Sequence, residues 1–382
     1  MKPEHHQGRD LTLKITVLLT LFIALGTGTS YASDELKIIE IPLKVKHQNV
    51  SFKRLLSEPV YQIVSTPKFM AFNSNRKIWI KRSGEKLTNL SDLISLSQEC
   101  DWFQFMCAAG NKLIIAAGNY SEEQCKKDSE ASLGGYIAGP RAEGIMIVEV
   151  NPPKLKFVKE FKVVKNPTSA SKNLSEIPVP ETIVLGMQSC LWDGENLYIG
   201  NHGFLTEVFL DANEVKLIEY DSGLIELNRK ALFKEGETLW VAEDEGGLDG
   251  GGIKKLHRNK QTKFFRLLNY PYTDPDSILR YKGLLLTSSL AGLVQINEKQ
   301  NAYIHYQLTK DKKKMAIYNL VIINNELWAV RDDGWVKFDL TSKSAILYYL
   351  KGAEVSNNIQ SIAYFEGDWF IGTDKELVML EK

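Results

Sequence analysis

The sequence predicts an all-β fold, a seven-bladed β-propeller of four-stranded antiparallel meanders, on three observations. A short aliphatic or aromatic phrase recurs seven times: RKIWIKRSGEKL from Arg76, NKLIIAAGN from Asn111, NLYIGNHGFLTEV from Asn196, TLWVAEDEGG from Thr238, GLLLTSSLAGLVQI from Gly283, ELWAVRDDGWVKFDL from Glu326 and DWFIGTDKELVML from Asp368. From Tyr198 through Trp240, Leu285 and Trp328 to Phe370 the equivalent positions lie 42 to 45 residues apart, the spacing of a propeller blade. The apolar runs are short and bounded by turn residues, as strands are.

Taken in chain order, residues 1–32 are expected to be a secretory signal. Lys14 precedes an apolar run from Ile15 to Leu25, and Ser30-Tyr31-Ala32 marks cleavage after Ala32. That run is shorter than the ~20 residues a membrane span requires. Residues 33–382 then form a single propeller domain, secreted or periplasmic, because no linker or change of composition divides them. The whole chain has 47 Lys plus Arg against 47 Asp plus Glu, and loss of Lys2, Arg9, Lys14, Glu4 and Asp10 with the signal leaves it close to neutral. Such a balance offers no broad basic field for nucleic acid or an anionic membrane, so neither a nucleic-acid partner nor stable membrane insertion is expected.

Leu36 to Leu43 alternates apolar and polar residues and is expected to supply an outer strand to the C-terminal blade, closing the ring. Blade six shows the meander most clearly. Val321 to Ile323 is a strand, Asn324-Asn325 a turn, Leu327 to Val330 the returning strand, and Asp333-Gly334 turns into Trp335 to Leu340. Blade seven repeats this with Ile362 to Phe365, Glu366-Gly367, Trp369 to Ile371 and Leu377 to Leu380. A four-stranded sheet of this size has two faces to bury, and stacking against a copy on each side buries both.

If the phrase marks the third strand of each blade, the equivalent positions are Trp79, Ile114, Tyr198, Trp240, Leu285, Trp328 and Phe370. Trp79, Trp240 and Trp328, with Trp369 one residue before its counterpart, are then expected between blades as packing rather than as a ligand platform. The interval from Ile114 to Tyr198 is twice the usual one. Two irregular stretches rich in polar, Gly and Pro residues, Ser121 to Ala142 and Lys165 to Glu181, account for the excess without an eighth blade. In this register they join the third to the fourth strand of blade two and the first to the second strand of blade three. Both connections open on one face, and long loops on a rigid scaffold are where binding is commonly placed.

All four cysteines follow the signal, which suits disulfides in an oxidising compartment. Their spacing fits no metal knuckle, and four cysteines permit three pairings. A Cys100–Cys125 bond would fasten the first excursion. Cys107 and Cys190, at similar positions in adjacent blades, either face each other or are two buried small hydrophobes.

The same rim is expected to carry Lys81-Arg82, Asn201-His202, Glu243-Asp244-Glu245, Ser288-Ser289, Arg331-Asp332-Asp333 and Thr373-Asp374. The candidate binding residues are His202, Glu243, Asp244, Arg331 and Asp332. VAEDEGGLDGGG from Val241 places the carboxylates of Glu243, Asp244, Glu245 and Asp249 in a glycine-rich loop, a donor set that suits calcium, although an ordinary solvated acidic turn has the same composition. His202 follows a strand and is a base, a ligand or a plain turn residue. Arg331 with Asp332 reads as a rim ion pair or a substrate clamp.

No nucleophile elbow, zinc-protease, P-loop or dinucleotide signature is present, which weakens an enzyme reading without removing it. The phrases LYIGNHG from Leu197, LWAVRDDG from Leu327 and WFIGTDKE from Trp369 resemble the L-W-I-G-T-x-x-G-L repeats of two-component-regulator-type and related ligand-binding β-propellers. That resemblance implies a propeller whose relatives include extracellular sensor domains, binding scaffolds and some enzymes. The expected function is an exported binding or interaction scaffold that takes a protein, peptide or carbohydrate partner on one rim, without a resident cofactor. The alternative is a propeller-type hydrolase or lyase, assisted by calcium.

Overall fold

The computed structural model describes residues 37–74, 77–90, 101–119, 144–158, 162–164, 189–200, 204–210, 212, 214–220, 228–244, 251–258, 260–266, 275–310, 313–331, 333–351 and 358–381. The chain divides into two compact units, Met1–Lys37 and Ile38–Lys382, and only Lys37 of the first is among the described residues. The second unit is a seven-bladed β-propeller. Among the described residues no helix is long and apolar enough to cross a membrane.

Blade one is Gln62–Ser65, Phe69–Ser74, Lys77–Arg82 and Thr88–Asn89. Blade two is Asp101–Ala109, Lys112–Asn119, Gly144–Val150 and Pro153–Val158; blade three is Ser189–Trp192, Leu197–Gly200, Phe204–Phe209 and Glu214–Tyr220. Blade four is Asn228–Glu235, Thr238–Asp244, Gly252–His257 and Lys260–Arg266; blade five is Ile278–Tyr281, Leu284–Ser289, Gly292–Asn297 and Ala302–Gln307. Blade six is Leu320–Ile323, Glu326–Arg331, Gly334–Asp339 and Ser344–Leu350, and blade seven contributes Ile359–Phe365, Asp368–Thr373 and Leu377–Leu380. First strands of neighbouring blades touch one another from blade seven through blade one to blade six, and the second strand of blade six meets the first strand of blade seven, so the first strands form the inner wall.

The expected hairpin turns form for a local reason. Asn324 and Asn325 both have positive φ, 51° and 60°, as do Glu366 and Gly367 at 53° and 87°. Two consecutive left-handed residues match the right-handed twist of the flanking strands, and Asn and Gly take that conformation at little cost.

The blade fronts bury alternating side chains against the next blade. Trp328 of blade six meets Trp369 of blade seven edge-on, with ring centroids 4.4 Å apart, inside a cluster that also holds Val330, Ile362 and Ile371. Trp79 packs among Phe72 of its own blade and Ala363, Phe365 and Phe370 of blade seven. Trp240 is buried and lies 6.1 Å from Phe265 of its own blade, centroid to centroid.

Three short strands before blade one run along the outside. Strand β1 (Lys37–Pro42) lies beyond the fourth strand of blade five, and β2 (Lys44–Val50) pairs in parallel with the fourth strand of blade six, from Lys44↔Ser344 to Val50↔Leu350. Strand β3 (Phe52–Leu56) pairs antiparallel with Leu377–Leu380 and is the fourth strand of blade seven. Ring closure by an N-terminal strand therefore occurs, but through Phe52–Leu56 rather than Leu36 to Leu43. The apolar side chains decide this: Leu43 is buried, with Ile41 beside it, in the core between blades five and six, whereas Phe52 packs between six and seven and Leu56 between seven and one. Arg54 of β3 adds an ion pair, its Nε donating to the buried Glu376 carboxylate of blade seven.

The register of the repeated phrase also differs from expectation. It occupies the second strand in blades two to seven and the third in blade one. The misleading residue is Trp79, which sits directly opposite Phe72 and stacks on it with centroids 6.4 Å apart, so blade one carries its large aromatic on the neighbouring strand. The second-strand residue of blade one that packs toward blade two is Ala71, 43 residues before Ile114, which restores the regular interval.

Candidate binding face

Strand direction sorts the connections between the two faces. In a meander, the turn between second and third strands opens on the same face as the link from one blade's outer edge to the next blade's first strand. The first excursion joins the second strand of blade two, Lys112–Asn119, to the third, Gly144–Val150. The second follows Lys162–Val164, an added outer strand that runs parallel to the fourth strand of blade three, and leads to the first strand, Ser189–Trp192. Each excursion thus occupies a different connection from the one expected, and the two still leave from and return to the same face. Ser121 to Ala142 and Lys165 to Glu181 themselves lie outside the described residues.

The other second-to-third turns on this face are those after Gly200, Asp244, Ser289, Arg331 and Thr373. Lys81-Arg82 does not belong with them: it ends a third strand and opens on the opposite face. There the Lys81 Nζ contacts Glu366 Oε2 at 2.5 Å, and the Ser83 hydroxyl and Gly84 N–H donate to Glu366 Oε1 at 2.8 and 2.6 Å. Lys81 above all, with those two donors, pulls the Glu366 carboxyl down to a pKa of about 2 and latches blade seven to blade one.

A disulfide lies behind the candidate face. Cys107 and Cys190 are bonded, with Cα atoms 6.1 Å apart, and join the first strands of blades two and three. The bond closes a loop of sequence separation 83 that contains both excursions. Cys100 and Cys125 lie outside the described residues.

Of the candidate rim residues, Glu243 and Arg331 have described side chains. Glu243 is 1% exposed and accepts a hydrogen bond from Lys254 Nζ at 2.9 Å. The pair is a diagonal one across the blade-four ladder, since Glu243 stands opposite Gly252 and Lys254 opposite Val241. Burying a carboxylate is costly without a counter-charge, and Lys254 supplies one. Two like-sided polar residues two ladder positions apart were the available signal for this pair in the sequence. Asp244 ends its strand, while His202, Glu245, Asp249 and Asp332 lie outside the described residues. Among the described residues no group of three or more His, Cys, Asp or Glu is placed to hold a metal ion.

Arg331, the last residue of its strand, is 7% exposed. One terminal nitrogen, Nη2, lies 2.6 Å from Asp333 Oδ1; Asp332, the expected partner, lies outside the described residues. Nε and Nη1 are buried and have no hydrogen-bond partner among the described residues.

A second polar cluster belongs to the opposite face. Lys234 of blade four donates to the Tyr198 hydroxyl at 2.8 Å, Tyr198 donates to Glu207 Oε1 at 2.8 Å, and Lys234 also pairs with Asp193 in the first-to-second turn of blade three. Burial, with Glu207 beside it, pushes the Tyr198 hydroxyl up to about 12, so it stays protonated and serves to tie blades three and four.

No family model matches the chain, and no curated protein is detectably similar to it in sequence. Solved structures do share its fold. The extracellular domain of a hybrid two-component system from B. thetaiotaomicron aligns over 87% of this chain and 40% of that one, with a TM-score of 0.55 and 12% identity. Virginiamycin B lyase from Staphylococcus aureus aligns over 87% and 99%, at 0.56 and 11%. YCF48 in a complex with D1 peptide aligns over 92% and 99%, at 0.56 and 9%. The chain spans less than half of the two-component protein it matches, and identities this low establish the propeller alone. The resemblance to sensor-type propellers holds at the level of the repeat.

Proposed function

We propose that this chain is an exported binding scaffold that holds a protein, peptide or carbohydrate partner on the face carrying the two excursions. The observation that carries the reading is that the strand ends flanking both departures from the repeat lie on one face, while a disulfide joins the inner strands of the same two blades. Insertions placed on a rigid ring can vary without disturbing its core, and a cross-link beneath them preserves their spacing. Export is supported by the leader-like residues 1–32 and by a disulfide that suits an oxidising compartment. The peptide complex of YCF48 supports the choice of a polypeptide among the partner classes.

The hydrolase or lyase alternative would use His202 or a rim carboxylate as its acid-base group, and of these Glu243 is buried against Lys254. A calcium role for the glycine-rich loop is best tested at Asp249. Replacing Glu243 would strand the buried Lys254 and so change stability for a reason unrelated to metal. Deleting Ser121 to Ala142 is expected to leave a cooperative thermal transition and to abolish recovery of the partner from the extracytoplasmic fraction. Undiminished recovery would remove this face from consideration.

A further inference from the structure

The outer edge of blade six is an open strand with lysines along it, on a chain that is neutral overall. We propose that this edge takes an acidic, extended segment of a partner protein, which adds a further strand to the blade through main-chain hydrogen bonds and sets its carboxylates against Lys44 and Lys46. The edge lies on the rim of the ring, apart from the face that carries the two excursions, so the proposal stands independently of that reading.

Strand β2 is the outermost of its sheet and pairs with Ser344–Leu350 over all seven residues without a break. The Lys44 N–H donates to Lys343 O at 2.9 Å, and the Val50 carbonyl accepts from the Lys351 N–H at 3.0 Å, so the even-numbered residues bond inward. By alternation the N–H and C=O groups of Val45, His47 and Asn49 point away from the blade, and no strand covers them among the described residues. A strand of this length spans about 23 Å, room for a partner segment of similar size.

The side chains give that edge its sign. Lys44, Lys46, His47, Gln48 and Asn49 are exposed, and between Glu40 and Glu58 the chain carries Lys44, Lys46, Lys53 and Arg54 and no acidic residue. Lys343 and Lys351, bonded through their backbones to the two ends of β2, are exposed as well. Across the ladder Lys44 faces Ser344 and Lys46 faces Ile346, which leaves both without an acidic partner there. Other outer edges differ: on blade two Lys154 stands opposite Glu149 and Lys156 donates to the Leu210 carbonyl, and on blade seven Arg54 is paired with Glu376.

Lysines on an open edge repel a second copy of the same edge, and the same charges favour an acidic strand, so one feature excludes self-pairing and selects the partner. Main-chain bonds to the edge supply affinity, and opposite charges across the new ladder fix its register.

The test uses residues 33–382 and a fluorescein-labelled nonapeptide that alternates glutamate with valine or threonine, read by anisotropy in low salt. Its comparators are the same peptide with glutamine for glutamate, the same peptide with a central proline, and a single-stranded deoxyoligonucleotide of equal charge. The glutamate peptide is expected to bind, and the glutamine peptide to bind roughly tenfold more weakly or worse. The central proline removes an N–H from the added strand and is expected to abolish binding. Lys44→Ser/Lys46→Ser is expected to weaken the glutamate peptide by roughly tenfold or more, while Lys154→Ser/Lys156→Ser, on the edge of blade two, leaves it unchanged.

Equal weakening by the two lysine pairs means a diffuse charge effect and overturns the proposal. So does a glutamate peptide that does not bind, a proline peptide that binds as well as its parent, or an oligonucleotide that binds more tightly. If Lys44→Ser/Lys46→Ser fails to fold by thermal melting, the proline and glutamine peptides on the unaltered chain decide the matter. Glutamate-peptide binding that is lost on deletion of 121–142 and untouched by Lys44→Ser/Lys46→Ser assigns the peptide to the excursion face and removes this edge.

Discussion

Blades five to seven and blades two to three are built from the same meander but secured in opposite ways. The first arc has short second-to-third turns and is bound externally by β1, β2 and β3, laid on blades five, six and seven in succession. The second arc departs from the regular spacing twice and is bound internally, by a disulfide between first strands. A strap of backbone hydrogen bonds spreads a weak restraint over many residues, whereas a cross-link concentrates it at one point and tolerates long insertions between its ends. The arc that is covalently fastened is also the arc that carries the two departures from the repeat.

Breaking the packed arc at its centre should have the largest effect. Trp328→Ala removes the ring that meets Trp369 and is expected to cost about 3–5 kcal/mol, read as a lower guanidinium midpoint with an unchanged slope. A loss under 1 kcal/mol would mean the interface between blades six and seven does not depend on the aromatic pair.

The fastened arc is tested next by Cys107→Ser/Cys190→Ser. The expected loss is about 2–4 kcal/mol, measured without reductant, and reductant should bring the parent to the same midpoint. If partner binding also weakens more than it does in Trp328→Ala, the cross-link serves the binding face as well as stability.

The smallest effect belongs to the seam between blades seven and one. Glu366 has a carboxyl lowered from 4.5 to about 2 by Lys81, Ser83 and Gly84, so its contribution is fully present above about pH 4.5 and disappears as pH falls toward 2. Glu366→Gln should melt slightly below the parent at pH 7, and the difference should shrink between pH 4.5 and 2. A difference that persists at pH 2 would assign the latch to the turn geometry instead of the charge.

Much of the fold could be read from local sequence. Asn324-Asn325 and Glu366-Gly367 announced their turns because left-handed residues are few in kind, and the apolar spacing after Tyr198 counted the blades. The rank of the phrase within each blade was not readable, because a second and a third strand present the same alternation and Trp79 exchanged places with its partner across the ladder. Cys107 and Cys190 were a defined pair of alternatives that only proximity resolves. Lys254 was missed as the partner of Glu243, although a diagonal search along the hairpin finds it. For Arg331 the sequence supplied two consecutive acidic neighbours, Asp332 and Asp333, and the structure places the second of them against its guanidinium.

What the sequence determined by itself is therefore the meander, its turns, its sevenfold count and the places where the repeat is interrupted, since each of these follows from contacts within some ten residues or from the period itself. Tertiary structure decided which edge each strap strand covers, which cysteines meet and which buried charges find partners. Those choices depend on sheet edges and blade faces that are chemically equivalent along the chain and become distinct only when the ring closes and each apolar side chain has a particular slot to fill.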